Sequence, residues 1–165
     1  MQWFGGRGGG LIGVDPNTFM HPYAREAAAA AGMPDGKLEL LVGRAEALPL
    51  QDESADVVVC THVLCSVTDV AAALSEARRV LRPGGSFLFL EHVHAAPEQR
   101  GLRRLQAAVN PLAGLVGDGC HVTRQTLATI QAAGFSRVEA EPFDVARAAW
   151  LQAPFRPHVA GVAVK

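Results

Sequence analysis

The sequence predicts an α/β fold, a mostly parallel sheet with helices on its faces and an antiparallel last pair of strands. Three observations in the middle of the chain predict it. Asp56 is followed by Val57, Val58 and Val59, a β-branched apolar run expected of a strand covered on both faces. From Val70 to Arg82 the apolar residues Val70, Ala73, Leu74, Ala77 and Leu81 recur at helical spacing. Pro83 cannot continue that helix, Gly84 and Gly85 let the backbone reverse, and Ser86 to Val93 reads as a returning strand. Strand, crossover helix and strand in this order make a parallel pair.

The remaining elements follow in chain order. The glycine-rich segment Met1 to Gly10 buries too little surface to offset its ordering entropy, so residues 1–10 are expected to be a disordered stub. Residues 11–165 form a single domain. Leu11 to Val14 is a short strand ended by Asp15, Pro16 and Asn17, and Phe19 to Ala31 is a helix with Pro22 in its first turn and Gly32 as its cap. Lys37 to Gly43 is the next strand, and Arg44 to Pro49 is a loop. Past His94, Pro97 to Leu105 reads as a helix and Asn110 to His121 as a loop. Thr123 is expected to cap a helix ending at Ala133. Arg137 to Phe143 and His158 to Val164 alternate as the last two strands, with a helical turn around Val145 to Leu151 between them. The total is about six strands, with no internal repeat or domain linker.

At 165 residues, 49% hydrophobic and 19% charged, the chain is globular. A net charge of -1 gives no electrostatic basis for nucleic-acid binding. No apolar run reaches the length of a membrane segment, and the first residues lack the apolar region of a signal peptide. Three cysteines without paired spacing fit a reducing compartment, so an intracellular, by default cytoplasmic, location is expected.

In parallel sheets, ligands bind outside the carboxyl ends of the strands. Asp15 ends an early strand, where an acid accepts hydrogen bonds from ribose hydroxyls, although Asp-Pro-Asn is also a good turn. His92 and His94 point to one face of a strand, and Cys120 with His121 is the pattern that could join them around zinc. That spacing matches no established finger, and no metal is assigned. Cys60 is expected to be a small core residue, and nothing in the sequence marks Cys65 as a nucleophile. The chain has no nucleophile elbow and no Walker loop. Tyr23 is its one tyrosine, which leaves no tyrosine–lysine dehydrogenase pair.

Four stretches then occur in family order and spacing: Gly13 to Asn17 (GVDPN), Ala45 to Pro49 (AEALP), Ala55 to His62 (ADVVVCTH) and Arg79 to Gly85 (RVLRPGG). With them the chain resembles the class I S-adenosylmethionine-dependent methyltransferases of the type-11 kind, with their Rossmann-like sheet. Val59 to Val67, Glu91 to Val93, Asp118 to Arg124 and Pro157 to Lys165 resemble a narrower branch that includes mammalian thiol S-methyltransferases. The resemblance implies methyl transfer from S-adenosylmethionine to a small-molecule nucleophile, a thiol within that branch. It implies cofactor-binding roles for Asp15 on the ribose hydroxyls, for Ala45 and Glu46 against the adenine, and for Thr61 and His62 near the methionine part. Arg44 stands where the family often has an acid. The catalytic residues stay unassigned, with His62 and His92 as candidate bases.

Before Leu11 the chain departs from that family. The family opens its domain with a central strand, a glycine loop for the methionine end of the cofactor, and a helix. Only nine residues separate Gly5 from Asp15, whereas a strand–helix–strand unit runs to about thirty. The first strand and helix are therefore expected to be missing, and the cofactor to bind weakly or not at all. The Leu11 and Val57 strands, which that strand would separate, must either pair directly or keep exposed edges. The alternative function is a non-catalytic, methyltransferase-like remnant or binding partner.

Overall fold

The computed structural model describes residues 9–117, 119–145 and 150–165. The stub expected at the start lies mostly outside the described residues, while Gly9 and Gly10 are exposed and irregular. Strand β1 (Leu11–Val14) runs parallel to β2 (Leu38–Leu41). Between them come a 3-10 turn (Thr18–Met20), which the Asn17 side chain caps by accepting the Phe19 amide, and helix α1 (His21–Ala30). Pro22 sits in the first turn of α1, and Gly32 takes the left-handed conformation after its end (φ 74°).

A second, four-stranded sheet carries the core. Its order is β3 (Ala55–Thr61), β4 (Leu81–His92), β6 (Pro157–Val164), β5 (Arg137–Asp144). β3 and β4 are parallel and adjacent, joined by α2 (Val70–Val80), as the crossover pattern requires. β6 runs antiparallel to both β4 and β5, so the last pair is antiparallel as expected. Asp69 Oδ1 accepts the Ala72 amide and caps α2, which buries Ala73, Leu74, Ala77 and Val80. Ala73, Leu74 and Ala77 join Phe87, Phe89, Ile130 and Val159 in the main core cluster.

Four local expectations need correction. α2 ends at Val80, and Leu81 is already extended. The Pro83–Gly85 turn is absorbed into β4, where Gly84 takes φ 77° and a register shift between Ala55 and Val57 accommodates it. Helix α3 (Arg100–Val116) runs straight through Pro111 and Gly114, where the sequence suggests a loop. Burial of Ala113 and packing of Val109 against Cys65, Cys120 and Val122 outweigh the local penalty. Thr123 caps nothing: its hydroxyl goes to Asn110 Oδ1 at 3.3 Å, and α4 (Thr126–Ala132) starts three residues later. Of the turn expected over Val145 to Leu151, residues 146–149 lie outside the described ones, and a 3-10 turn occupies Trp150–Phe155.

Among the described residues no strand lies between β1 and β3, and the two do not pair. Their edges stay separate. Val57 and Val59 on β3 are 51% and 66% exposed, and Leu11 and Ile12 on β1 are exposed as well.

Candidate active site

The chemistry gathers at the carboxyl ends of β3 and β4 and the start of β6. Because β6 is antiparallel to β4, His158 pairs with His92 at that edge. Glu91 is the organising group. It is fully buried, and its Oε1 accepts the amides of Val63 (3.0 Å) and Leu64 (3.1 Å) and the Cys60 thiol (3.3 Å). Its Oε2 accepts the Cys65 amide at 3.3 Å. The loop after β3 is thereby wrapped around one carboxylate. His62 leads into that wrap with φ 54°, a left-handed conformation disfavoured for histidine and held by its surroundings.

His62 stacks on His92 (centroids 4.5 Å apart), and His158 meets His92 edge-on at 4.5 Å. His158 Nδ1 lies 2.9 Å from the Arg156 carbonyl, which can only accept, so this nitrogen carries the proton. With His158 in its neutral form, its Nε2 is the acceptor and the His62 Nε2–H donates to it across 3.1 Å. In a neutral His62 this leaves Nδ1 with a lone pair. Burial, and then the neighbouring His92 and His158, hold His62 below the usual histidine range.

Beside the histidines lie two sulfurs. Cys120 Sγ is 3.5 Å from His92 Nδ1. A hydrogen bond between the Cys65 and Cys120 thiols pushes Cys65 up and Cys120 down. Burial, with Glu91 alongside, pushes the Cys60 thiol up and keeps it protonated, in keeping with a core cysteine. His94 and His121 of the sequence pattern stand apart, with His121 Nδ1 bonded to the Gly119 carbonyl at 2.6 Å.

Asp15 ends β1 half-buried, and its Oδ1 accepts the Asn17 amide at 2.7 Å in the turn that the sequence also suggests. Ala45 packs against the main core. Glu46 is committed elsewhere, since its Oε1 accepts the amides of Thr68 (2.7 Å) and Asp69 (3.5 Å) and meets Arg44 Nη2 at 3.4 Å. Burial raises the Glu46 carboxyl, but hydrogen bonds from its own amide, Thr68, Asp69 and Arg44 outweigh it and leave it below the ordinary value. Thr61 is exposed at the end of β3. Cys65 and His158 were not singled out as site residues by the sequence, which marked Glu91 at the strand end and in the Glu91 to Val93 stretch without giving it a role. The signal for a buried role of Glu91 was an acid directly after the apolar run Phe87 to Leu90.

A depressed carboxyl stabilises the fold fully above about pH 4.5, and that contribution is lost as the pH falls through the lowered folded value. The Thr68 amide shift is therefore expected to titrate with a midpoint below 4.5, and Glu46→Gln to remove that titration. A midpoint at or above 4.5 would show that the carboxylate is not held by these amides.

By sequence, residues 1–89 match the family described as Methyltransferase domain. Thiol S-methyltransferase TMT1B of Rattus norvegicus is 46% identical over 122 residues, covering 70% of this chain and 46% of that protein. Thiol S-methyltransferase TMT1A of Homo sapiens is 43% identical over 119 residues, covering 69% and 45%. The chain thus spans about half the length of the curated relatives it matches. Among solved structures, a SAM-dependent methyltransferase from Thermotoga maritima superposes with a TM-score of 0.65 at 22% identity, over 93% of this chain and 72% of that one. The [4+2]-cyclase SpnF superposes with a TM-score of 0.69 at 17% identity, over 95% and 67%. At these identities the structural likeness speaks for the fold alone.

Proposed function

We propose that this chain, which belongs to the methyltransferase-domain family, presents a site for methyl transfer from S-adenosylmethionine to a small thiol. The observation that carries the proposal is the convergence of His62, His92 and His158 beside the end of β3, in a chain 46% identical to a thiol S-methyltransferase. A thiol acceptor must lose its proton to become nucleophilic, and an imidazole with a free lone pair can take it.

The residues fit one half of the cofactor. Asp15, half-buried at the end of β1, suits ribose hydroxyls, and the Ala45–Glu46 backbone suits the adenine. The Glu46 carboxylate contributes indirectly, by fixing that loop to the approach of α2. For the methionine half, the described residues offer only Thr61 and His62 beside an unpaired β3 edge.

S-adenosylmethionine, when bound, supplies an electrophilic methyl on a sulfonium. Neutral His62 accepts the thiol proton at Nδ1, and the Nε2 contact with His158 fixes the ring that does so. Glu91 holds the loop on which His62 lies. The thiolate so formed would be the nucleophile toward that methyl, with the cofactor held by Asp15, the Ala45–Glu46 backbone, Thr61 and His62. The fold contributes mainly alignment of the two sulfurs with the methyl carbon.

Among the described residues the β1 and β3 edges are unpaired, which favours a second reading, a non-catalytic remnant of this family. Isothermal titration with S-adenosylmethionine, followed by mass spectrometry of an added small thiol, separates the two. With only Thr61 and His62 among the described residues offered to the methionine end, a dissociation constant of about 100 µM or weaker is expected, with binding abolished in Asp15→Ala. S-methyl product formed at saturating cofactor and lost in His62→Ala supports the enzyme, and no product supports the remnant. Low-micromolar binding would refute the half-site fit.

A further inference from the structure

We infer that Cys65, His92 and Cys120 form a zinc site with three protein ligands and an open fourth position that takes a small thiolate. The three ligand atoms lie within 4.8 Å of one another, with Cys120 Sγ and His92 Nδ1 3.5 Å apart. Tetrahedral zinc, at about 2.3 Å to sulfur and about 2.0 Å to nitrogen, sets sulfur–nitrogen separations of about 3.5 Å and sulfur–sulfur separations of about 3.8 Å. The Cys120–His92 separation already matches the sulfur–nitrogen value, and the other two separations lie within about an ångström of what the ion requires. Two thiolates and an imidazole are the soft donors that select zinc over magnesium or calcium. Both cysteines are buried, and two thiolates cancel the charge of the ion, which a dry site requires.

The ligand-bearing segments are tied to each other before any metal arrives. The His121 amide donates to the Cys65 carbonyl at 2.8 Å, joining the chain next to one cysteine directly to the other. Arg124 Nη1 donates to the Leu64 carbonyl at 2.6 Å, and Glu91 holds the Cys65 amide. Gly119, at φ 79°, lies against the Ser66 backbone, where an added Cβ would stand 3.2 Å from the Ser66 carbonyl oxygen. A reduced pair of core cysteines needs none of this bracing, whereas a metal site gains affinity from it.

Binding one zinc ion releases two thiol protons to solvent. Among the described residues no fourth ligand atom completes the set. A small thiol entering the fourth position does so as its thiolate, with its proton released. This second part rests on the thiol reading above; the three-ligand site does not.

The test uses the whole chain, reduced, stripped of metal with a chelator and kept anaerobic. Cobalt(II) is the probe, because sulfur-to-cobalt charge transfer in the near ultraviolet reports thiolate ligands directly. One equivalent is expected to give those bands with tetrahedral visible bands, and zinc to displace it. Cys65→Ser and Cys120→Ser are each expected to weaken zinc binding by about a hundredfold or more, with circular dichroism checking their fold. His62→Ala is expected to leave the bands intact. Added 2-mercaptoethanol is expected to intensify them, and a spectrum it does not move refutes the open position. Cobalt bound without sulfur bands would assign the ion to the three histidines, and no bound cobalt would leave a plain thiol pair. Either result overturns the inference. Methyl transfer that survives complete metal removal would refute a role for the ion while leaving the proposed function standing.

Discussion

Glu91→Leu is expected to destabilise the protein by about 3–5 kcal/mol, since it strands three backbone amides that the carboxylate now accepts. Leucine fits the apolar surroundings, and removing a buried carboxylate recovers part of its desolvation cost, which keeps the figure from being larger. The lost bonds all lie in the loop after β3, so the damage has an address. Urea unfolding should show a lower midpoint, and alkylation of Cys65 should accelerate at urea concentrations well below that midpoint. A loss under about 1 kcal/mol would mean that the loop keeps its shape without the acid.

Gly161→Val is expected to cost about 3 kcal/mol or more, lowering the thermal midpoint by about 10 °C for a chain of this size. Gly161 pairs with Phe89 on one side and Ala140 on the other. A Cβ there would stand 2.5 Å from Phe89 Cζ and 2.9 Å from Ala140 Cα, and would collide with the Glu139 carbonyl. The phenyl ring lies over the glycine, in the space a side chain would take, and two of these three obstacles are backbone that cannot swing away. Gly101→Ala is the control: nothing lies within 4 Å of its added Cβ, it lies in α3, and it should stabilise slightly. Equal midpoints for the two variants would contradict the packing around β6.

How much of this was legible in the sequence depends on whether the cause is local. The β3–α2–β4 crossover was readable because a valine run and an apolar stripe each write their periodicity into consecutive residues. Asp15, Asn17 and Gly32 were readable because turn and cap chemistry acts over two or three positions. α3 was not, because Pro111 and Gly114 give a strong local signal for a break, while the opposing cause, the cluster of Cys65, Cys120 and Val122, comes from elsewhere in the chain. Thr123 failed as a cap for the same reason, its hydroxyl finding Asn110 in α3. In the site, His92 and Cys120 could be suspected together, but Cys65 could not. Its approach follows from the fold of the loop around Glu91, and no spacing of residues records that.

The split of the sheet also divides the molecule's cooperativity. Both core clusters draw their members from Ala45 onward, and α1 buries none of its residues. Residues 11–41 therefore carry the weaker packing, and local opening there is expected to leave the four-stranded body intact. Asp15 belongs to the weaker unit, and His62, Cys65, His92 and Cys120 belong to the stronger. Any ligand that touches Asp15 and His62 together selects the fraction of molecules in which the first unit is closed, and its apparent affinity is scaled by that fraction. The same ligand binding stitches the two units into one, so occupancy at the sulfur–imidazole end and order at the amino-terminal end rise together.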